Sequence, residues 1–176
     1  MAPQSPAAPF VLCFFSKIMY ANIEEKQERQ RKTSDMKRIL VIDGQGGQLG
    51  KELIRSIKEQ HPSLPILAVG TNAMATAAML KAGAMQAATG ENAVITAARK
   101  ADIIIGPIGI VIADAFLGEV TAAMAAAVGR AEAVRILVPM NKCENIIAGV
   151  ADTSMAALVQ DVLRRLRALL LENSPC

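Results

Sequence analysis

The sequence predicts an α/β protein of three layers, a mostly parallel sheet covered by helices on both faces. Three observations carry that expectation. Short β-branched runs alternate with amphipathic stretches from about residue 36 onward. The chain is 52% hydrophobic yet has four Phe, one Tyr and no Trp, so Ala, Ile, Val and Leu must fill a core of closely packed helices and buried strands. At 176 residues it is long enough to bury one substantial core.

The elements follow in order. RILVID (38–43) reads as a buried strand and QLGKELIRSIKEQ as a helix over 48–60, with Leu49, Leu53, Ile54 and Ile57 on one face. Pro62 and Pro65 frame the return into strand PILAVG (65–70). A helix over 72–82 ends on Gly83, which suits a C-terminal cap. MQAA (85–88) is a short strand and 91–100 a helix. DIIIG (102–106) is the most strand-like run, 121–131 a helix and RILVP (135–139) a strand. NIIAGV (145–150) returns as a last strand, antiparallel because the link from 139 is too short for a crossover helix. Asp152 caps a final helix over 153–171, whose Arg164, Arg165 and Arg167 suit its C-terminal half. The whole is Rossmann-like.

Residues 1–35 read differently. A Pro/Ala-rich start, an apolar run PFVLCFFSKIMY (9–20) and a mixed-charge segment precede the regular pattern, so 1–35 is expected to be a mobile extension and 36–176 a single domain. The apolar run lacks a signal peptide's basic start and cleavage site, and it is too short to span a bilayer. The net charge of +3 is modest and no basic, aromatic-studded face is present, which argues against nucleic acid as a partner. Cys13, Cys143 and Cys176 are far apart and His61 is the one histidine, so no metal site is expected and a reduced, cytoplasmic setting fits.

In such sheets ligands bind at the carboxyl ends of the strands. Those ends carry Asp43, Gly44, Gln45, Gly46 and Gly47; Gly70, Thr71 and Asn72; Thr89, Gly90, Glu91 and Asn92; Gly106, Pro107 and Gly109; and Asn141. All combine small residues with polar ones, and together with Gly50 they form the expected ligand-binding set. The spacing G-x-x-G-x-x-G at Gly44, Gly47 and Gly50 suits backbone amides approaching a phosphate at a helix N-terminus. A G-x-G-x-x-G reading fails because Leu49 holds the third glycine position. A Walker loop fails because Glu52 follows Gly50-Lys51 where a hydroxyl is needed.

Asp43 complicates a phosphate site, since a carboxylate repels a pyrophosphate. It could accept sugar hydroxyls, hold a cation, or bond back to the loop amides. Strand two ends in Gly70-Thr71-Asn72 rather than the acid that holds a ribose, so the cofactor stays open between NAD(P) and another nucleotide. Catalytic groups are sparse: Asp43, Lys142 and Cys143 are the candidates, the last either a thiolate favoured by the neighbouring Lys142 or a half-buried hairpin cysteine. Asp114 within the apolar stretch 108–117 and Glu119 just after it could close a pocket or edge a dimer contact.

The segments MKRILVIDGQGGQLGKELI, AVGTNAMATAAMLKAGA, ATGENAVI, ADIIIGPIGIVIADAFLGEVT and PMNKCENIIAGV resemble a small bacterial family catalogued as a domain of unknown function. The resemblance covers about residues 36–176 and implies a Rossmann-like protein of that length. It brings no established activity, cofactor or catalytic residue. Three functions therefore stand side by side: a binder of a phosphate- or hydroxyl-bearing small ligand, an NAD(P)-linked or group-transfer enzyme, and a non-catalytic module dimerising through residues 108–131.

Overall fold

The computed structural model describes residues 36–140, 147–150 and 153–171. The elements are β1 (Ile39–Asp43), α1 (Gln48–Gln60), β2 (Ile66–Gly70), α2 (Ala73–Lys81), β3 (Gln86–Thr89), α3 (Glu91–Ala98), β4 (Ile103–Pro107), α4 (Ala122–Arg130), β5 (Val134–Val138) and α5 (Met155–Leu171). All belong to the compact unit Lys37–Cys176. The strands form one sheet in the order β3-β2-β1-β4-β5, every pairing parallel.

That order is the Rossmann sequence 3-2-1-4-5, and its chirality sorts the helices into two layers. α1 packs against α2 and α5 on one face, and α3 against α4 on the other. Strand alternation divides the core accordingly. Leu40, Ile42, Val69 and Ile104 pack with Val94, Met124 and Val128 beneath α3 and α4. Ile39, Val41, Ile103 and Ile105 are equally buried and alternate with them, towards the layer where Leu53, Ile54 and Ile57 of α1 are buried. β1 and β4, flanked by neighbours on both sides, are buried along their whole length. This is why they read as unbroken apolar runs rather than alternating ones.

One expected element does not form as written. Within NIIAGV, residues 147–150 make a turn closed by the Val150 amide donating to the Ile147 carbonyl, with Gly149 at φ +83°. A left-handed glycine inside a closed turn takes the chain out of extended geometry, so these residues carry no antiparallel strand. Residues 145 and 146 lie outside the described residues, as do 1–35 and Asp152. Ser154 caps α5, its Oγ accepting from the Ala157 amide. No helix among the described residues is long and apolar enough to cross a membrane.

Between β4 and α4 lies the least regular part of the fold. A short 3-10 turn, Ile108–Val111, is followed by a tight segment in which Asp114, Phe116 and Leu117 all hold positive φ, at 63°, 60° and 60°. Thr121 ends it: its Oγ1 accepts from the Met124 amide as the cap of α4 and donates to Glu91 of α3. Thr121→Ala is expected to cost about 1 kcal/mol, read as a lowered urea midpoint at unchanged slope.

Candidate functional site

At the carboxyl edge of the sheet, β1 and β4 part company. Their register ends at Val41↔Ile105, and beyond it β1 runs into the glycine loop while β4 runs into the 3-10 turn. β1 pairs with β2 on its other side, so the chain's winding reverses at this point, where ligands of open α/β sheets bind. A crevice of about 140 Å³ opens there, lined by residues 43–49, Pro107, Phe116, Met140 and Met155.

Asp43 stands at the mouth of α1 and is 5% exposed, the one buried charged side chain among the described residues. Its Oδ1 accepts from the Gly44 amide at 2.9 Å and its Oδ2 from the Gly50 amide at 2.7 Å. The carboxyl group thus occupies a first-turn amide of α1, where a dinucleotide's phosphate would otherwise approach. Of the roles open to Asp43 in the sequence, the structure displays the bond back to the loop. Burial pushes its pKa up, the amides of Gly50 and Gly44 pull it back, and the charge of Glu119 adds to the rise.

The glycines earn their places by proximity. A Cβ on Gly50 would lie 2.5 Å from the Met79 sulfur, and one on Gly47, at φ +67°, 2.7 Å from the Ala75 Cα. Both let α1 lie close to α2. Gly46 differs, since a Cβ there would meet nothing within 4 Å.

The loop's other amides are partly spent. Gly47 donates to the Gly44 carbonyl and Gln45 to Glu119 Oε2 at 2.8 Å. The amides of Gly46 and Gln48 have no partner among the described residues.

Glu119 is the residue that sequence reasoning placed only loosely. It arrives from the segment between β4 and α4, and its Oε2 accepts from Gln45 N, Thr71 Oγ1 and Asn72 Nδ2, the last at 2.9 Å. Burial opposes its ionisation, but the bonds from Thr71, Gln45 and Asn72 together hold the carboxyl below its ordinary range. Asn72 also caps α2 through the Ala75 amide and donates to the Gln45 carbonyl. An acid thus reaches the end of β2 from elsewhere in the chain, bonded to Thr71 and Asn72. No spacing rule could reveal it, because the contact spans 48 residues.

Of the residues expected to bind a ligand, Asp43 to Gly47 and Pro107 line the crevice, joined by Gln48, Leu49, Phe116, Met140 and Met155. Gly50 and Gly106 do not line it: Gly50 gives Met79 close approach and Gly106 the Ile42 carbonyl, while Gly109 faces the Phe116 ring. Gly70 approaches Thr76 instead. Thr89, Gly90, Glu91 and Asn92 follow β3, at the far edge of the sheet, where Thr89 bonds Thr76 and Glu91 bonds Thr121. Asn141, Lys142 and Cys143 lie outside the described residues. In the 108–131 stretch, Ile110, Phe116, Val120, Met124 and Val128 are packed into the chain's own core, while Leu117 is exposed.

A larger groove, about 970 Å³, lies at the opposite edge among Arg38, Arg99, Asp102 and Arg130. Size does not make it the site. Arg38 is already tied to Asp102 through its backbone amide and its guanidinium, and much of the wall is alanine.

Comparison with known proteins adds a lineage. No curated protein sequence matches the chain. A solved structure, the dodecameric FMN-dependent UbiX-like decarboxylase from Escherichia coli O157:H7, is similar at 19% identity and a TM-score of 0.38, over 75% of this chain and 76% of that one. Likeness of that degree carries no chemistry across. The family match is of another order, for it runs over residues 38–171 and takes in every strand and helix described above: the chain belongs to the family described as Domain of unknown function (DUF3842).

Proposed function

We propose that the crevice between the ends of β1 and β4 binds a nucleotide-like small ligand bearing phosphate or hydroxyl groups. The observation that supports this most directly is the pair of uncommitted amides, Gly46 and Gln48, on a glycine loop at the point where the sheet's winding reverses. Unpaired amides at a helix N-terminus attract anions. Asp43 shifts the expected contact along the loop: it fills the Gly44 and Gly50 amides, leaving Gly46 and Gln48 to the ligand.

The crevice is smaller than the roughly 300 Å³ of typical small-molecule pockets, so it takes one moiety and the rest of the ligand lies along the strand ends. The apolar walls of Pro107, Phe116, Met140 and Met155 suit a ring or a sugar face.

A second reading, proton transfer by Asp43 in an enzyme, draws support from the same buried carboxyl with a raised pKa at the crevice wall. Asp43→Asn would abolish turnover in that case and leave binding measurable.

The test is the melting temperature of the full chain against mononucleotides, dinucleotides and sugar phosphates, with and without magnesium. A ligand at a hundred times its Kd stabilises by about 2.7 kcal/mol. Gly46→Leu, whose side chain has open space to enter, is expected to leave the unliganded melting point within about 2 °C and to remove the ligand's shift. A flat panel for the unaltered chain would sink the proposal.

A further inference from the structure

Three hydrogen-bond donors from two loops converge on a single oxygen. Gln45 N belongs to the loop after β1, and Thr71 Oγ1 and Asn72 Nδ2 to the end of β2, yet the oxygen is Glu119 Oε2 from a third segment. A backbone amide, a hydroxyl and a carboxamide on one anionic oxygen is the arrangement by which proteins hold phosphate. The trio adjoins the crevice, because Gln45 lines one and donates in the other, and Gly44 lies between them. A Cβ on Gly44 would meet Thr71, Phe116 and Glu119 at 2.7, 2.8 and 3.0 Å.

The segment that brings Glu119 is held in an uncomfortable form. Asp114, Phe116 and Leu117 are non-glycine residues at positive φ, a conformation L side chains disfavour. Leu117 is 99% exposed and recovers nothing by burial. The segment is held by backbone bonds from Asp114 to the Val120 carbonyl, Gly118 to the Asp114 carbonyl and Val120 to the Ala115 carbonyl, by the Phe116 ring packed over Gly44 and Gly109, and by the three bonds to Glu119.

We propose that Gln45 N, Thr71 Oγ1 and Asn72 Nδ2 form an oxyanion subsite for a phosphate group of the ligand, which Glu119 fills as an internal anion until the ligand displaces it. This rests on the crevice reading and narrows it to phosphorylated ligands long enough to reach from Gly46 to Thr71. Neutral analogues that lack the phosphate cannot replace a carboxylate on three donors.

Inorganic pyrophosphate, titrated calorimetrically into the full chain, is the probe. Glu119→Gln keeps an acceptor oxygen for the three donors but removes the charge that competes for them. It is expected to bind pyrophosphate at least about tenfold more tightly than the unaltered chain. Thr71→Val added to Glu119→Gln is expected to lose that gain. If Glu119→Gln does not fold, Glu119→Asp, one methylene shorter, tests the same release.

Equal or weaker binding by the folded variant would overturn the proposal, as would a double variant that keeps the gain. The two readings fail separately. A nucleotide shift in the unaltered chain with no gain in Glu119→Gln removes the subsite alone. A flat nucleotide panel with a gain that depends on Thr71 removes the crevice alone.

Discussion

Asp43→Ala is expected to lower the stability of the domain by about 3 kcal/mol, or roughly 6–12 °C in melting temperature. The change leaves the Gly44 and Gly50 amides buried without their acceptor, and an orphaned buried donor costs its full desolvation. Asp43→Asn should cost less than Asp43→Ala, since its amide oxygen still serves one of the two donors.

The pair also gives a pH signature. Burial raises the folded pKa of Asp43 above the 3.8 of an unfolded aspartate. Above pH 3.8 the unfolded chain therefore releases this proton first, and the group's favourable contribution is lost as pH rises through the folded pKa. The advantage of the native chain over Asp43→Asn is thus expected to shrink from pH 4 towards pH 7. Asp102, Glu119 and Asp161, whose pKa values are lowered, give the opposite slope but are common to both proteins. A native advantage that grows with pH, in urea titrations at matched ionic strength, would contradict burial as the dominant influence on Asp43.

Gly106→Ala should be at least as damaging. The added Cβ would sit 2.4 Å from the Ile42 carbonyl oxygen and 3.0 Å from Ile110 Cδ1. The first of these is backbone in the central strand, held by β2 on one side and β4 on the other, so neither partner can yield cheaply. The expected loss is about 3 kcal/mol, the upper part of the range for overpacking. The same substitution at Gly129, in the last turn of α4 with nothing within 4 Å, should instead stabilise by about 0.5 kcal/mol. Urea unfolding of the two variants separates a steric glycine from a spare one. A native-like midpoint for Gly106→Ala would mean that β1 and β4 are free to separate, and the floor of the crevice would not be fixed.

The strands and helices were legible because each carries its own period. The face Leu49, Leu53, Ile54, Ile57 marks α1 over the same residues that form it, and the run of three isoleucines marks β4. Edges shift by a residue or two where caps decide: Asn72, expected as the first residue of the helix, is the cap before Ala73. The loop's position at the carboxyl edge was also legible, from glycine spacing after a strand. What was not legible is which anion each amide holds. Glu119 reaches its three donors through a segment whose left-handed residues, Asp114, Phe116 and Leu117, obey no local preference. Met155 reaches the crevice because α5 folds back beside α1, and Met140 because β5 ends beside β4. Such contacts depend on tertiary placement, to which periodicity is blind.

The sheet order has a consequence for biosynthesis. β1 is the centre of the sheet, with β2 on one side and β4 on the other. As the chain emerges from the ribosome, β1, β2 and β3 can assemble in turn, but the second edge of β1 must wait for Ile103–Ile105. Until then the backbone of Ile39–Val41 offers an open, apolar edge to any extended strand nearby. Nascent domains of this kind are most prone to mispairing in that interval, and slowing translation between α3 and β4 would lengthen it.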